Sequence, residues 1–204
     1  MNKVFEIAHK NEKFIYYEIL SAFTLTFINS YLGLKTEALH FAKLSESHAT
    51  DILETNWNQA DEGYRLYSLG MTYKNIGNYE KGLEFYRQAI EYANKINYQV
   101  IDAMARYGIA EIYREKCEFY KALPYNKDSI KILKKIGATS ELAEAYYQLG
   151  LTYQKMGELQ NSMGELQNSE ENFQEAIELF ERMGAPRQVE KVKRAMRLGN
   201  IVII

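Results

Sequence analysis

Histidines, cysteines and clustered carboxylates carry most of the chemistry that proteins perform near neutral pH, and this chain deploys them sparsely. Its three histidines, His9, His40 and His48, lack metal-ligand spacing. His48 and Asp51 stand three residues apart, which on a helix makes them neighbours, and a solvated pair is the expected outcome. There is one cysteine, Cys117, so no internal disulfide can form and a reducing compartment fits. No glycine-rich phosphate loop, HExxH or CxxC pair occurs. No catalytic centre, metal site or cofactor is expected from these residues, and the protein reads as a non-enzyme.

Tyrosine is abundant instead, with 17 copies against a single tryptophan. Its placement is periodic. Leu66-Tyr67-Ser68-Leu69-Gly70-Met71-Thr72-Tyr73 aligns with Arg106-Tyr107-Gly108-Ile109-Ala110-Glu111-Ile112-Tyr113, and both align with Tyr146-Tyr147-Gln148-Leu149-Gly150-Leu151-Thr152-Tyr153. Tyr67, Tyr107 and Tyr147 thus recur at intervals of forty residues. The register continues through a column of Gly77, Cys117 and Gly157, and through the connectors Lys95-Ile96-Asn97, Lys135-Ile136-Gly137 and Arg182-Met183-Gly184.

Each unit needs two amphipathic helices to position these side chains. Leu66, Leu69, Gly70 and Tyr73 recur at i, i+3, i+4 and i+7, which is one apolar stripe at helical period. Gly77 is placed to end that helix in the left-handed conformation, and Asn78 to cap the next one. The second helix should bury Leu83, Tyr86, Ala89 and Ile90, while Gly70, Ala110 and Gly150, with Gly82 and Ala122, let paired helices approach closely. Cys117 lies in the turn column, where a small buried residue fits, and a nucleophilic role is not expected of it. With only 2 prolines the chain suits long helices.

A weaker copy precedes these units, since Tyr31-Leu32-Gly33-Leu34-Lys35-Thr36-Glu37-Ala38-Leu39 repeats the helix–glycine–helix grammar. Terminal repeats are commonly atypical because they also cap the stack. The expected layout is one domain: residues 1–18 as an N-terminal cap, 19–62 a degenerate repeat, then repeats at 63–102, 103–142 and 143–184. Residues 185–204 complete it as a capping helix and tail, with Pro186 opening that helix and Val189, Val192 and Met196 forming its apolar stripe.

The combination of Tyr64-Arg65-Leu66-Tyr67-Ser68-Leu69-Gly70, Tyr73, Gly77, Tyr79, Tyr86 and Ala89 resembles the tetratricopeptide repeat family. The forty-residue interval exceeds the family's usual ~34 and is similar to Rap-type peptide-pheromone receptors and LGN/Pins adaptors. The resemblance implies an all-α fold, a right-handed superhelix of about four helix pairs with a C-terminal capping helix, whose first helices line a concave groove. Facing that groove it places Tyr67, Met71, Lys74 and Asn75, then Tyr107, Glu111, Arg114 and Glu115, then Tyr147, Leu151, Gln154 and Lys155. Two roles are open to the tyrosine ladder: contact with a ligand, for which a phenol offers area and a hydroxyl, or covering of the inner face. Tyr67, Met71, Tyr107, Glu111, Tyr147 and Leu151 occupy the slots in which co-chaperone members carry the Lys, Asn and Arg that grip a C-terminal carboxylate, so chaperone-tail binding is not expected. The implied function is a protein- or peptide-binding scaffold or adaptor, with a Rap-like peptide sensor lacking its own output region as the alternative.

Three further features stand outside the repeat. Met-Gly-Glu-Leu-Gln-Asn-Ser occurs twice in tandem, at 156–162 and 163–169. Seven residues turn a helix through nearly two full circles, so one helix could absorb the insertion and protrude by ~10 Å. The reading is open between a tolerated duplication and a dedicated contact. The last helix carries Arg187, Lys191, Lys193, Arg194 and Arg197 against Glu190, either a solvated face favourable to the helix dipole or a docking patch for an acidic partner. The tail Ile201-Val202-Ile203-Ile204 is too short for a membrane anchor; it packs back, joins a neighbouring chain or marks a cut in a longer protein.

Charge and hydropathy bound the partners. Lys plus Arg number 25 and Asp plus Glu 27, and a net charge of −2 exerts no global pull on nucleic acid or anionic lipid. The charged N-terminus lacks a signal-peptide core, and no run approaches the roughly 18 apolar residues of a membrane span. A cytoplasmic protein with protein or peptide partners is expected, without nucleic-acid or membrane partners, self-association being open.

Overall fold

A computed structural model describes residues 15–47 and 59–200. His9, His48, Asp51 and the tail 201–204 lie outside the described residues, whereas His40 is exposed on a helix with its ring 5.1 Å from that of Phe41. All regular structure among the described residues is α-helical, as expected of an all-α repeat. The chain divides into two compact units, residues 1–101 and 102–204. Such division is natural in repeat arrays, where each repeat contacts only its neighbours.

In the first unit α1 (Ile15–Tyr31) pairs with α2 (Lys35–Ser47), α3 (Gln59–Asn75) pairs with α4 (Tyr79–Lys95), and α1 also packs on α3. Gly33 and Gly77 end the leading helices at φ 75° and 89°, a region that glycine enters without steric cost. Asn78 then caps α4, its side chain accepting from the Lys81 backbone N–H at 3.2 Å.

The seam between α3 and α4 depends on Gly70, because a Cβ there would lie 2.6 Å from the Tyr86 ring. Leu83, Tyr86 and Ala89 are buried in this seam as expected, while Ile90 sits at its edge, half-buried. Tyr73 stacks on Phe85 with centroids 5.6 Å apart. Its hydroxyl donates to Glu46 of α2, and the Lys81 ammonium of α4 reaches Glu46 at 2.7 Å and the Tyr73 oxygen at 2.9 Å. One polar cluster thereby ties three helices. Burial, then the Glu46 hydrogen bond, raises the Tyr73 pKa above its ordinary 10.0. For Lys81, burial alone would lower the pKa, but the hydrogen bonds to Glu46 and Tyr73 outweigh it and raise the group above 10.5.

The division between units falls after Ile101, in the first turn of α5 (Gln99–Glu115). The second unit continues with α6 (Phe119–Ile136), α7 (Thr139–Gln160), α8 (Met163–Arg182) and α9 (Pro186–Asn200). Left-handed residues punctuate it at Cys117 (φ 58°), Gly137 (70°) and Gly184 (64°). Cys117 is exposed rather than buried. The turn column selects backbone conformation, not packing, and the equivalent Gly77 is exposed too.

The tandem duplication is helical, but one helix does not absorb it. α7 spans 22 residues and α8 spans 20, against 17 for α5 and 18 for α6. Growth is shared between both arms of the hairpin, so it extends by about one turn, ~5 Å, instead of the ~10 Å expected of one helix. The turn moves from the Gly157 column to Asn161, which adopts φ 49°. Gly157 becomes an interior helical residue whose Cβ would meet Leu166 at 2.8 Å. Below the insertion the register is kept: a Cβ on Gly150 would stand 2.6 Å from the Phe173 ring, as Gly70 stands to Tyr86. α9 closes the unit on α7 and α8, with Val192 fully buried and Val189 and Met196 partly so.

Gly150→Ala should cost about 1–3 kcal/mol in urea unfolding, because the methyl group meets a closed ring contact. Gly164→Ala, in α8 with open space around the added carbon, should be neutral or stabilising by up to about 1 kcal/mol. Raised Tyr73 and Lys81 values mean that the folded chain holds these protons more tightly than the unfolded one. Their stabilisation is complete below the ordinary values and is lost as pH rises through the higher folded values. The melting temperature should therefore fall as pH rises beyond about 10, and less steeply for Tyr73→Phe, as followed by circular dichroism.

Candidate functional site

In the first unit, α3 carries Tyr67, Met71, Lys74 and Asn75 on consecutive turns. Tyr67 is only 8% exposed and its ring lies 5.7 Å from that of Tyr86. The glycine one turn later draws α4 close enough for that aromatic to cover the phenol. Met71, Lys74 and Asn75 are half-buried, and Asn75 Nδ2 donates to Ser30 Oγ of α1 at 3.2 Å. Arg65, on the opposite side of the same helix, is buried and bidentate to Glu62 at 2.7 and 2.8 Å, with Nη1 donating to the Ser45 carbonyl at 2.9 Å. A buried guanidinium so paired locks α3 to the end of α2.

In the second unit, Tyr107 and Tyr147 are 5% and 9% exposed. Tyr147 repeats the Tyr67 arrangement, its ring 5.9 Å from that of Phe173. Tyr67, Tyr107 and Tyr147 are thus each buried within their own unit, and the rings of Tyr67 and Tyr147 pack against Tyr86 and Phe173. Arg114 is buried as well, its Nη1 donating to Gln148 Oε1 at 2.8 Å and to the Gln148 carbonyl at 3.2 Å. It joins α5 to α7. Gln154 Nε2 donates to the Ala195 carbonyl at 3.0 Å and ties α7 to α9. Half-exposed in this unit are Glu111, Leu151 and Lys155, the last reaching Glu115 at 3.5 Å.

The sequence placed α9 as a capping helix whose basic residues form either a solvated face or a docking patch for an acidic partner. In the structure it borders a hollow of about 470 Å³ with Tyr147 at its floor and Arg187, Glu190, Lys191, Arg194 and Leu198 around it. Lys191 is anchored there, 3.1 Å from Glu144 and 4.3 Å from the centre of the Tyr147 ring. Glu144 and Gln148 were not anticipated as partners, and no local signal marks them, since each meets its cation from another helix. A second hollow, of about 690 Å³ along α8, is lined by Tyr146 and by Glu170, Glu171, Glu175 and Glu178 and is acidic. No helix among the described residues is long and apolar enough to cross a membrane.

Comparison with known proteins places this geometry. The tetratricopeptide repeat family matches residues 64–135 and again residues 143–182, together more than half of the 204-residue chain. Among solved structures, BtubC (BKLC) from P. vanneervenii is similar with a TM-score of 0.61 at 12% identity, over 99% of this chain and 87% of that one. Nearly identical TPR-like repeats from a Podosopora anserina protein named as a kinesin light chain align with a TM-score of 0.57 at 13% identity, over 90% of this chain and 95% of the other. At these identities the likeness is one of fold. No curated protein matches the sequence. The finer likeness to Rap-type receptors and LGN/Pins adaptors rests on the repeat interval alone.

Removing the Gln148 side chain amide should leave the buried Arg114 short of its best acceptor. Gln148→Leu is expected to cost about 1.5–3 kcal/mol, and Arg114→Met/Gln148→Leu together should recover part of that loss in urea melts.

Proposed function

Because the chain belongs to the tetratricopeptide repeat family, we propose that it is an adaptor that holds a protein or peptide against its leading helices. Repeats of this family generally build non-catalytic interaction scaffolds, and the adaptor role is the more specific reading advanced here. The supporting observation is the split within each leading helix. In the first unit Tyr67 is buried while Met71, one turn later, stays half-exposed; in the second unit Tyr107 and Tyr147 are buried while Glu111 and Leu151, one turn later, stay half-exposed. A packed floor with an accessible mixed edge suits adhesion to a peptide: large area, few ordered rotors and side chains that differ from repeat to repeat.

The edge column also supplies a usable test. Tyrosine-to-alanine changes would open cavities in the core and confuse lost binding with lost folding. Met71→Lys, Glu111→Lys and Leu151→Lys combined alter the edge and spare the rings. The triple variant should keep its helical circular dichroism and retain at least about tenfold less of each partner in affinity capture from the source cell, a tenfold change being about 1.4 kcal/mol of binding energy. An unchanged set of captured proteins overturns the proposal.

A further inference from the structure

α9 has two stripes with opposite uses. Val189, Val192 and Met196 face the core of the second unit. Arg187, Lys191, Arg194 and Leu198 recur at i, i+4, i+7 and i+11, which is one continuous helical face, and all four line the hollow over Tyr147. The charges along α9 differ in state. Lys191 is committed to Glu144, Lys193 reaches Glu181 at 3.6 Å, and Arg197 reaches Glu190 at 3.7 Å. Arg187 and Arg194 have no ion pair among the described residues. Two unpaired guanidinium groups thus flank a concavity whose floor is a phenol ring and whose far end is Leu198, an exposed leucine.

Their spacing specifies a ligand. Seven residues of helix separate Arg187 from Arg194 by ~10 Å along the axis. A peptide in the polyproline II conformation advances ~3.1 Å per residue with three residues per turn, so carboxylates three positions apart lie on one face and match that separation. Each guanidinium can take a carboxylate through two parallel N–H donors. Resting on the scaffold reading above and going beyond it, we propose that this hollow takes an extended acidic segment of a partner protein. Two of its carboxylates, at i and i+3, lie on Arg187 and Arg194, and an apolar side chain beyond the second lies toward Leu198. Nucleic acid fits less well. Among the described residues that line the hollow two cations are unpaired, Glu190 stands at the rim and Glu144 holds Lys191, whereas a phosphate chain needs a longer uninterrupted basic track.

The probe is a fluorescein-labelled twelve-residue peptide with two glutamates three positions apart followed by a leucine, read by fluorescence anisotropy at about 0.1 M salt, where screening acts over ~10 Å. The controls replace both glutamates with glutamine, or move them to adjacent positions. The spaced acidic peptide should bind at least about tenfold more tightly than either control, and Arg187→Gln/Arg194→Gln should remove that advantage. Both positions are solvent-exposed, so the melting temperature of the variant should match the parent and exclude unfolding as the cause. Equal binding of all three peptides, an advantage that survives in the double variant, or tighter binding of a labelled twelve-nucleotide oligothymidylate each overturns the inference. If the acidic peptide fails while the edge-column variant still loses its captured partners, the adaptor reading stands and only this hollow's assignment falls.

Discussion

The fold depends on how closely two helices of one repeat can approach. At Gly70 and Gly150 the backbone of the leading helix lies directly against an aromatic ring of its partner, with no space for even a methyl group. This contact buries Tyr86 and Phe173 almost completely, and a buried aromatic side chain contributes about 1.5–3 kcal/mol relative to leaving it in water. The middle repeat balances the sizes differently. Ala110 takes the glycine position and Asn126 the aromatic one, both fully buried, with Asn126 Nδ2 donating to Thr152 at 3.0 Å. A bulkier leading helix is thus met by a smaller second one.

Close approach also explains where the tyrosines of the leading helices point. Tyr67 and Tyr147 each precede the contact glycine by one turn, so the ring that fills the glycine gap also covers the phenol. Polar side chains then fasten one helix to another. Arg65 reaches the end of α2, Arg114 reaches Gln148, Gln154 reaches the backbone of α9, and Glu46 gathers Tyr73 and Lys81. Arg65, Arg114 and Tyr73 are buried, which makes their pairing costly to break, while Glu46, Lys81 and Gln154 are partly buried. Met71, Glu111 and Leu151 on the leading helices stay half-exposed, and Arg187 and Arg194 on α9 are exposed.

The duplication shows the same economy of register. Two turns of added helix, divided between antiparallel arms, leave Phe173 over Gly150 and Ser169 donating to the Gly150 carbonyl at 2.9 Å. A copy of different length would rotate one face against the other and bury the wrong side chains. Seven residues is close to an integral number of turns, so the insertion lengthens the hairpin without disturbing the core beneath it.

The sequence by itself determined the periodic part of this protein. Gly77 and Gly137, Asn78 at its cap, the stripe from Leu66 to Tyr73 and the buried stripe of α9 all follow from local rules, because backbone conformation and helical period are properties of neighbours in the chain. It also marked Gly70 and Gly150 as sites of close packing. The tertiary structure alone decided which member of each stripe stays accessible. Whether Tyr147 is open or covered depends on Phe173, and whether Arg114 is free depends on Gln148, both on other helices. Likewise Arg187 and Arg194 are distinguished from Lys191 and Arg197 only by which carboxylates come within reach. Burial and ion pairing arise between residues distant in sequence, and a period of forty cannot encode them.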